Sequence, residues 1–321
     1  MKQHFLYSLI LAAVCIGCND SLPNKENGDN YLSLESVVLP GENLTKALVL
    51  NIDKVNVYVR KRTDDGTYSD YITDGKATQT RFNYTNNSWA AKEDISLGEP
   101  AYILGCYPVA DDGKINSENG VLKIPVKVLD TNTFDAATSD QVDYLYSTEV
   151  TAGPTGGSGL KQSISLEMDH ALAQISFYIL KSSDVSEDMT LKQIEISSRG
   201  TCLQKGDGGQ MLLDGGTLTA LTGTNSLILT GEKALKTQET NPNVTCLVAP
   251  MSAEEPSLSF NLTVTMAGIE RTFTTSPTKA KWEKGTNYSY TITLNKIGGE
   301  LTEVTIKGWE TDASPNTSIG I

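Results

Sequence analysis

The sequence predicts an all-β protein built as two antiparallel β-sandwiches. Three observations carry that expectation. Apolar residues recur with a period of two in short runs along nearly the whole chain. Gly- and Asn-rich turns separate those runs. No long stretch shows a 3.6-residue apolar period with helix caps at its ends. Many short strands of this kind bury one face each by stacking sheet on sheet. The chain has 321 residues, enough for about two domains of roughly 100–200 residues, each able to bury its own core.

The N-terminus reads first. Lys2 and His4 open the chain, and residues 5–17 are apolar apart from Ser8 and Cys15. Such a run fits the roughly 7–15 apolar residues of a signal peptide and falls short of the roughly 20 that cross a bilayer as a helix. Cys15 and Cys18 have Cys-x-x-Cys spacing. A redox pair needs a βαβ context, and no second Cys or His pair follows at zinc-site spacing. A bacterial lipoprotein signal fits better. Gly17 is the small residue before the cut, residues 1–17 are removed, and Cys18 becomes the acylated (palmitate-bearing) N-terminus. Cys15 stands where such signals usually carry an aliphatic residue, and plain secretion is the rival reading. The polar stretch 18–30 is then a tether.

The strands follow in order. "YLSLESVVL" (31–39) puts Leu32, Leu34 and Val38 on one face. "ALVLNIDKVNVYVR" (47–60) carries Leu48, Leu50 and Ile52 on one parity and Val55, Val57 and Val59 on the other, so a bulge or a strand break falls at Asp53–Lys54. "AYILGCYPV" (101–109) and "GVLKIPVKVL" (120–129) continue the pattern. "TAGPTGGSG" (151–159) is the best linker candidate. It sets an N-terminal domain over 31–155 and a C-terminal domain over 156–321. The second half offers 164–180, 191–198, 226–230, 244–250, 258–268, 287–294 and 300–309 as strands.

Chemistry-bearing patterns are sparse. The net charge of -13 argues against nucleic acid, which needs clustered Lys and Arg, and suits an exposed extracellular surface. Beyond the signal only Cys106, Cys202 and Cys246 remain, a poor disulfide framework. They read as small buried hydrophobes, although Cys202 and Cys246 could pair across adjacent strands. His170, beside Asp169, sits inside an apolar strand, and no Gly-x-Ser-x-Gly turn accompanies it. No catalytic residue is assigned. "GPTGGSG" lacks the Gly-Lys-Ser/Thr of a phosphate loop. Sequons at Asn83 and Asn261 read as polar strand or turn residues. Trp89, Trp282 and Trp309 could stack on sugars, but core anchoring is the plainer reading. Asp64–Asp65 and Asp111–Asp112 look like turn residues with Gly66 and Gly113. No metal or cofactor is expected.

The ordered set of motifs resembles the fimbrillins, the subunits of Bacteroidales-type (type V) pili. It comprises the Cys18 signal, "AYILGCYPV", "DYLYSTEV" (143–150), "LEMDHALAQISFYI" (166–179), "VTCLVAPMS", "KWEKGTNYSYTITL" and "VTIKGWETD". The resemblance implies two transthyretin-like sandwiches in tandem after a lipoprotein signal, in an outer-membrane, cell-surface precursor that is not an enzyme. It implies that a trypsin-like protease removes the first strand after a basic residue. Here the removable segment is 31–46, and the scissile pair is Lys46–Ala47. The family's best-known members carry arginine there, whereas the first arginines of this chain are Arg60 and Arg62. Loss of Leu32, Leu34 and Val38 then empties a groove that a neighbouring subunit's strand refills. The candidate donor is 296–321, with Val304 and Ile306 on one face; the alternative is that 300–309 completes the C-terminal domain's own sheet. Partners are other pilus subunits, the outer membrane through the lipid, and a receptor on a host or bacterial surface. The rival function is a surface lipoprotein that binds glycans and never polymerises.

Overall fold

The computed structural model describes residues 30–39, 52–71, 78–109, 115–118, 120–134, 139–153, 161–296 and 299–308. Among them every regular element is a β-strand, as the alternation predicts. The strands form four sheets.

The largest sheet has ten strands. Across it run Ser88–Ala91, Gln79–Thr85, Lys54–Arg62, Ala101–Tyr107, Leu145–Ser147, Lys161–His170, Asn30–Val38 and Ser96–Leu97, with Tyr68–Asp70 and Val150–Ala152 as side branches. Asn30–Val38 packs against Ser88–Ala91 from the opposite end, so the sheet curls around one core. Val55, Val57, Val59, Ile103, Leu166 and Met168 point into it. The other face of the sheet is also covered. A five-stranded sheet containing Val121–Val128 and Leu203–Leu212 lies on it, and Tyr58, Leu104, Cys106, Ile124 and Met211 fill the layer between. Lys54–Arg62 is therefore buried on both faces, which explains its nearly unbroken run of buried positions.

The C-terminal sandwich packs two further sheets. One has the order Val244–Val248, Ala173–Lys181, Thr286–Leu294, Gly299–Gly308. The other runs Thr131–Thr133, Ser226–Ala234, Met189–Ser197, Glu255–Met266, Ile269–Thr274, with Thr278–Ala280 as a branch. Phe177, Phe260 and Tyr290 meet at its centre, with Phe260–Tyr290 ring centroids 4.7 Å apart. Trp282 is fully buried and donates its Nε1–H to the Tyr290 hydroxyl at 3.0 Å. It is a core anchor, as read from the sequence.

Two expectations change here. The segment 164–180, expected as one strand, is two: Lys161–His170 and Ala173–Lys181 belong to different sheets. The chain turns the corner at Ala171–Leu172, where Ala171 N–H donates to Tyr144 O at 2.8 Å and Gly285 N–H donates to Leu172 O at 2.9 Å. The sheets therefore do not part at residue 155. Lys161–His170 lies beyond that position yet pairs with Asn30–Val38 and Leu145–Ser147. The halves also interlace. Thr131–Thr133 pairs with Ser226–Ala234 of the C-terminal sandwich, and Leu203–Leu212 returns to pair with Val121–Val128. Arg60, almost fully buried, secures this return. It donates to Glu149 (Nε–Oε2 3.1 Å), stacks 3.6 Å over the Tyr68 ring and lies 3.7 Å from Asp214 beyond the returning strand.

The first strand as a candidate functional site

Asn30–Val38 alternates because its two faces meet different surroundings. Leu32 and Leu34 enter the curled core and are 2% and 5% exposed. Ser33 and Ser36 face outward, and their hydroxyls bond those of Ser163 and Ser165 at 2.9 and 2.8 Å. The main chain pairs in parallel with Lys161–His170, from Tyr31 opposite Lys161 to Val38 opposite Glu167. On the other side, among the described residues, only Asn30 and Tyr31 pair, with Leu97 and Ser96, supplemented by Leu32 N–H to Ile95 O at 2.9 Å.

The register slips at Glu35, between Leu34 and Ser36. A bulge of this kind shifts every later side chain to the other face. Val37, at 4% exposure, therefore fills the core, and Val38, expected to do so, is only half-buried. Leu39 completes the set at 3%. Leu32, Leu34, Val37 and Leu39 pack with Ile95, Leu97, Ile164 and Leu166. Fully burying each such side chain stabilises by about 1.5–3 kcal/mol. The four together are comparable to the roughly 5–15 kcal/mol that holds a domain folded. Removing the strand would leave an apolar trough with one long open edge, that of Lys161–His170.

Cys18, Lys46, Ala47 and Trp309 lie outside the described residues, as do most of the Gly-rich stretch and Asp111–Asp112. At the other end, Gly299–Gly308 pairs antiparallel with Thr286–Leu294 along its full length. It completes the C-terminal sheet of its own chain. Val304 stands opposite Tyr290 and Ile306 opposite Tyr288. Ile306 is 63% exposed.

The remaining candidate residues have structural surroundings. His170 is buried, and its Nδ1 lies 3.0 and 3.1 Å from the Asp143 carboxylate oxygens, tying loop to corner. A cavity of about 500 Å³ opens beside this pair, lined by Tyr107, Pro108, Gln141, Gln174 and Leu247. Asp65 accepts bonds from the Thr63 hydroxyl and from Thr67 N–H and Oγ1–H. Those bonds hold its carboxyl down to about 2, as befits a turn residue. Asn261 donates to Glu195 at 2.9 Å and to Ser197 at 3.1 Å within its sheet. Cys106, Cys202 and Cys246 are free thiols. Burial pushes Cys106 and Cys246 up to about 12, so both stay protonated and inert. Of the aromatic pairs near the surface, Tyr84–Trp89 is tilted by 53° and Tyr68–Tyr102 by 81°. Neither is the coplanar platform expected of a glycan binder.

The sequence model of one protein family, described as fimbrillin-like, matches residues 26–309. Among solved structures, the chain is similar to a proposed cell adhesion protein from Bacteroides ovatus ATCC 8483, with a TM-score of 0.57, 14% identity, and coverage of 89% of this chain and 100% of that one. It is similar to a fimbrial protein from Bacteroides vulgatus ATCC 8482, with a TM-score of 0.56, 13% identity, and coverage of 88% and 100%. A proposed cell adhesion protein from Bacteroides uniformis ATCC 8492 has a TM-score of 0.53, 16% identity, and coverage of 90% and 100%. At these identities the likeness is one of fold. No curated protein matches the chain.

Proposed function

The chain belongs to the fimbrillin-like family, and from that premise we propose that it is a subunit or adhesin of a cell-surface pilus activated by loss of its first strand. The precursor, two transthyretin-like sandwiches in this reading, is carried to the outer membrane by acylation of Cys18. Proteolysis between Lys46 and Ala47 releases the segment 31–46. The trough vacated by Leu32, Leu34, Val37 and Leu39 then accepts an extended strand from a neighbouring subunit. Backbone pairing to the open edge supplies affinity, and alternate apolar side chains supply register.

The observation that carries this reading is the burial of those four side chains in a strand that, among the described residues, is paired along its length on one side only. Such a strand leaves as a unit, without unthreading the sheet. The donor is the C-terminal stretch 296–321 of another copy, with Val304 and Ile306 as its apolar teeth. The support for it is the one-sided ladder of Gly299–Gly308 and the exposure of Ile306. Donation requires that strand to leave Thr286–Leu294.

Limited trypsin treatment tests the mechanism. The wild-type chain is expected to lose its N-terminal segment, keep its body and grow into multimers. Lys46→Gln should block the cut and remain unassembled. Assembly of the Lys46→Gln chain at the wild-type rate would reject activation at this bond and favour the non-polymerising lipoprotein.

A further inference from the structure

We propose that the outer edge of Gly299–Gly308 is a self-pairing surface that joins two uncleaved copies of this chain by antiparallel strand addition. Among the described residues no strand pairs with that edge. The opposite edge of the same sheet is closed differently: Leu247 N–H donates to the side-chain Oε1 of Gln141 at 2.5 Å. Among the described residues the last strand, ten residues long, is thus the sheet's open side.

A large apolar side chain is exposed on this strand. A Cβ at Gly299 would lie 3.7 Å from Phe273 of Ile269–Thr274, the edge strand of the facing sheet. Both sheets therefore end together there. The large apolar side chains exposed among the described residues are Val121 at 43%, Ile269 at 59% and Ile306 at 63%. Ile306 is on the last strand itself, while Ile269 pairs with Met266 at the end of the sandwich that holds Gly299, seven residues along from Ile306.

The sequence of the strand selects the occupant. Residues 303–307 read Glu-Val-Thr-Ile-Lys. Antiparallel pairing about a two-fold axis at Thr305 sets Glu303 opposite Lys307 of the second copy and Val304 opposite Ile306. Thr305 meets its own counterpart. Charges on an edge strand ordinarily discourage pairing. In this one register they attract, and in the register centred on Glu303 like charges would meet. A chain of net charge -13 repels its copies broadly, so a contact with locally cancelling charge is where they can approach. The interface is isologous and closes at two. It requires the last strand docked on its own sheet, and so belongs to the precursor and not to the cleaved, strand-donating form.

The test is the mass of the uncleaved chain in solution, by sedimentation equilibrium over a concentration series. This separates it from the trypsin experiment, since no cleavage is involved. The wild type is expected to dimerise. Glu303→Lys and Lys307→Glu should each weaken association by roughly tenfold or more, because symmetry doubles every cross-strand change. The double exchange should restore it. Thr305→Cys should form an intermolecular disulfide on mild oxidation, since facing residues in such a pair lie about 4.5–5.5 Å apart at Cα, within disulfide reach. A wild type that stays monomeric throughout the series overturns the proposal. So does a double exchange no better than the single changes, or a Thr305→Cys chain that fails to cross-link while the protein is dimeric.

Discussion

The first and last described strands resemble each other in sequence and differ in what covers them. Asn30–Val38 and Gly299–Gly308 are nine and ten residues long, alternate apolar with polar, and pair along their length on one side only. The first strand lies over a curled sheet whose far end, Ser88–Ala91, folds round to meet it, so its core-facing Leu32, Leu34 and Val37 are 2–5% exposed. The last strand lies at the rim where both facing sheets stop, and Ile306 remains 63% exposed on the parity that faces the core. Alternation thus reports that a strand has two faces. Whether the apolar face is filled depends on the layer opposite, which comes from distant residues. A strand that fills a core is missed when it leaves. A strand at a rim is available to another partner.

The comparison can be broken most directly by truncating one side chain from each strand. Leu34→Ala should destabilise the chain by about 2–5 kcal/mol, the range for emptying a buried leucine site. Ile306→Ala should change stability by no more than about 0.5 kcal/mol, as for an ordinary surface position. Urea unfolding of both variants, at dilutions at which the chain is monomeric, measures the pair. Equal losses would mean that Ile306 is covered within the single chain, and the contrast between the ends would vanish.

A smaller effect distinguishes how the two ladders are held. Ser33 and Ser36 reach across to Ser163 and Ser165, whereas the Thr305 hydroxyl bonds Glu303 of its own strand at 3.1 Å. Ser163→Ala and Ser165→Ala should each cost roughly 0.2–1 kcal/mol and raise hydrogen exchange along Asn30–Val38. Thr305→Ala should leave exchange along Gly299–Gly308 unchanged. A rise there would show that the local bond supports pairing after all.

Much of this architecture is legible in the sequence, and the exceptions have physical causes. Ala101–Tyr107, Val121–Val128, Met189–Ser197, Glu255–Met266 and Thr286–Leu294 follow their alternation. Leu32 and Leu34 face the core as the alternation predicts, but Val37 takes the place of Val38 because the bulge at Glu35 has no apolar signature. The corner at Ala171–Leu172 hides inside a continuous apolar run, since both residues are buried between layers. Leu203–Leu212 is not legible as a strand because Gly206, Gly208 and Gly209 interrupt its pattern and the register slips between Gly206 and Gly209. That strand carries the C-terminal half back onto the N-terminal sheet, so the interlacing is not legible either. The open edge at Gly299–Gly308 was visible only as an alternating strand; its exposure depends on where the facing sheet ends.

The smallest expected effect concerns Tyr290, which lies on the strand beside the last one, opposite Val304. Burial pushes its phenol from 10.0 up to about 12, with the Trp282 N–H pulling weakly the other way. The folded state thus holds its proton more tightly than the unfolded chain does. This stabilisation is complete below pH 10 and is lost as the pH rises through about 12. The cover over Tyr290 comes from Phe177, Phe260 and Trp282. Those residues belong to the core and not to the last strand. Deleting 299–321 should therefore leave the Tyr290 titration close to 12, read as the tyrosinate absorbance that disappears in a Tyr290→Phe background. A fall toward 10 in the deletion chain would mean that the last strand shields the core as the first strand does. The difference between the two ends would then be one of degree, and the C-terminal strand could not leave its sheet without opening the sandwich beneath it.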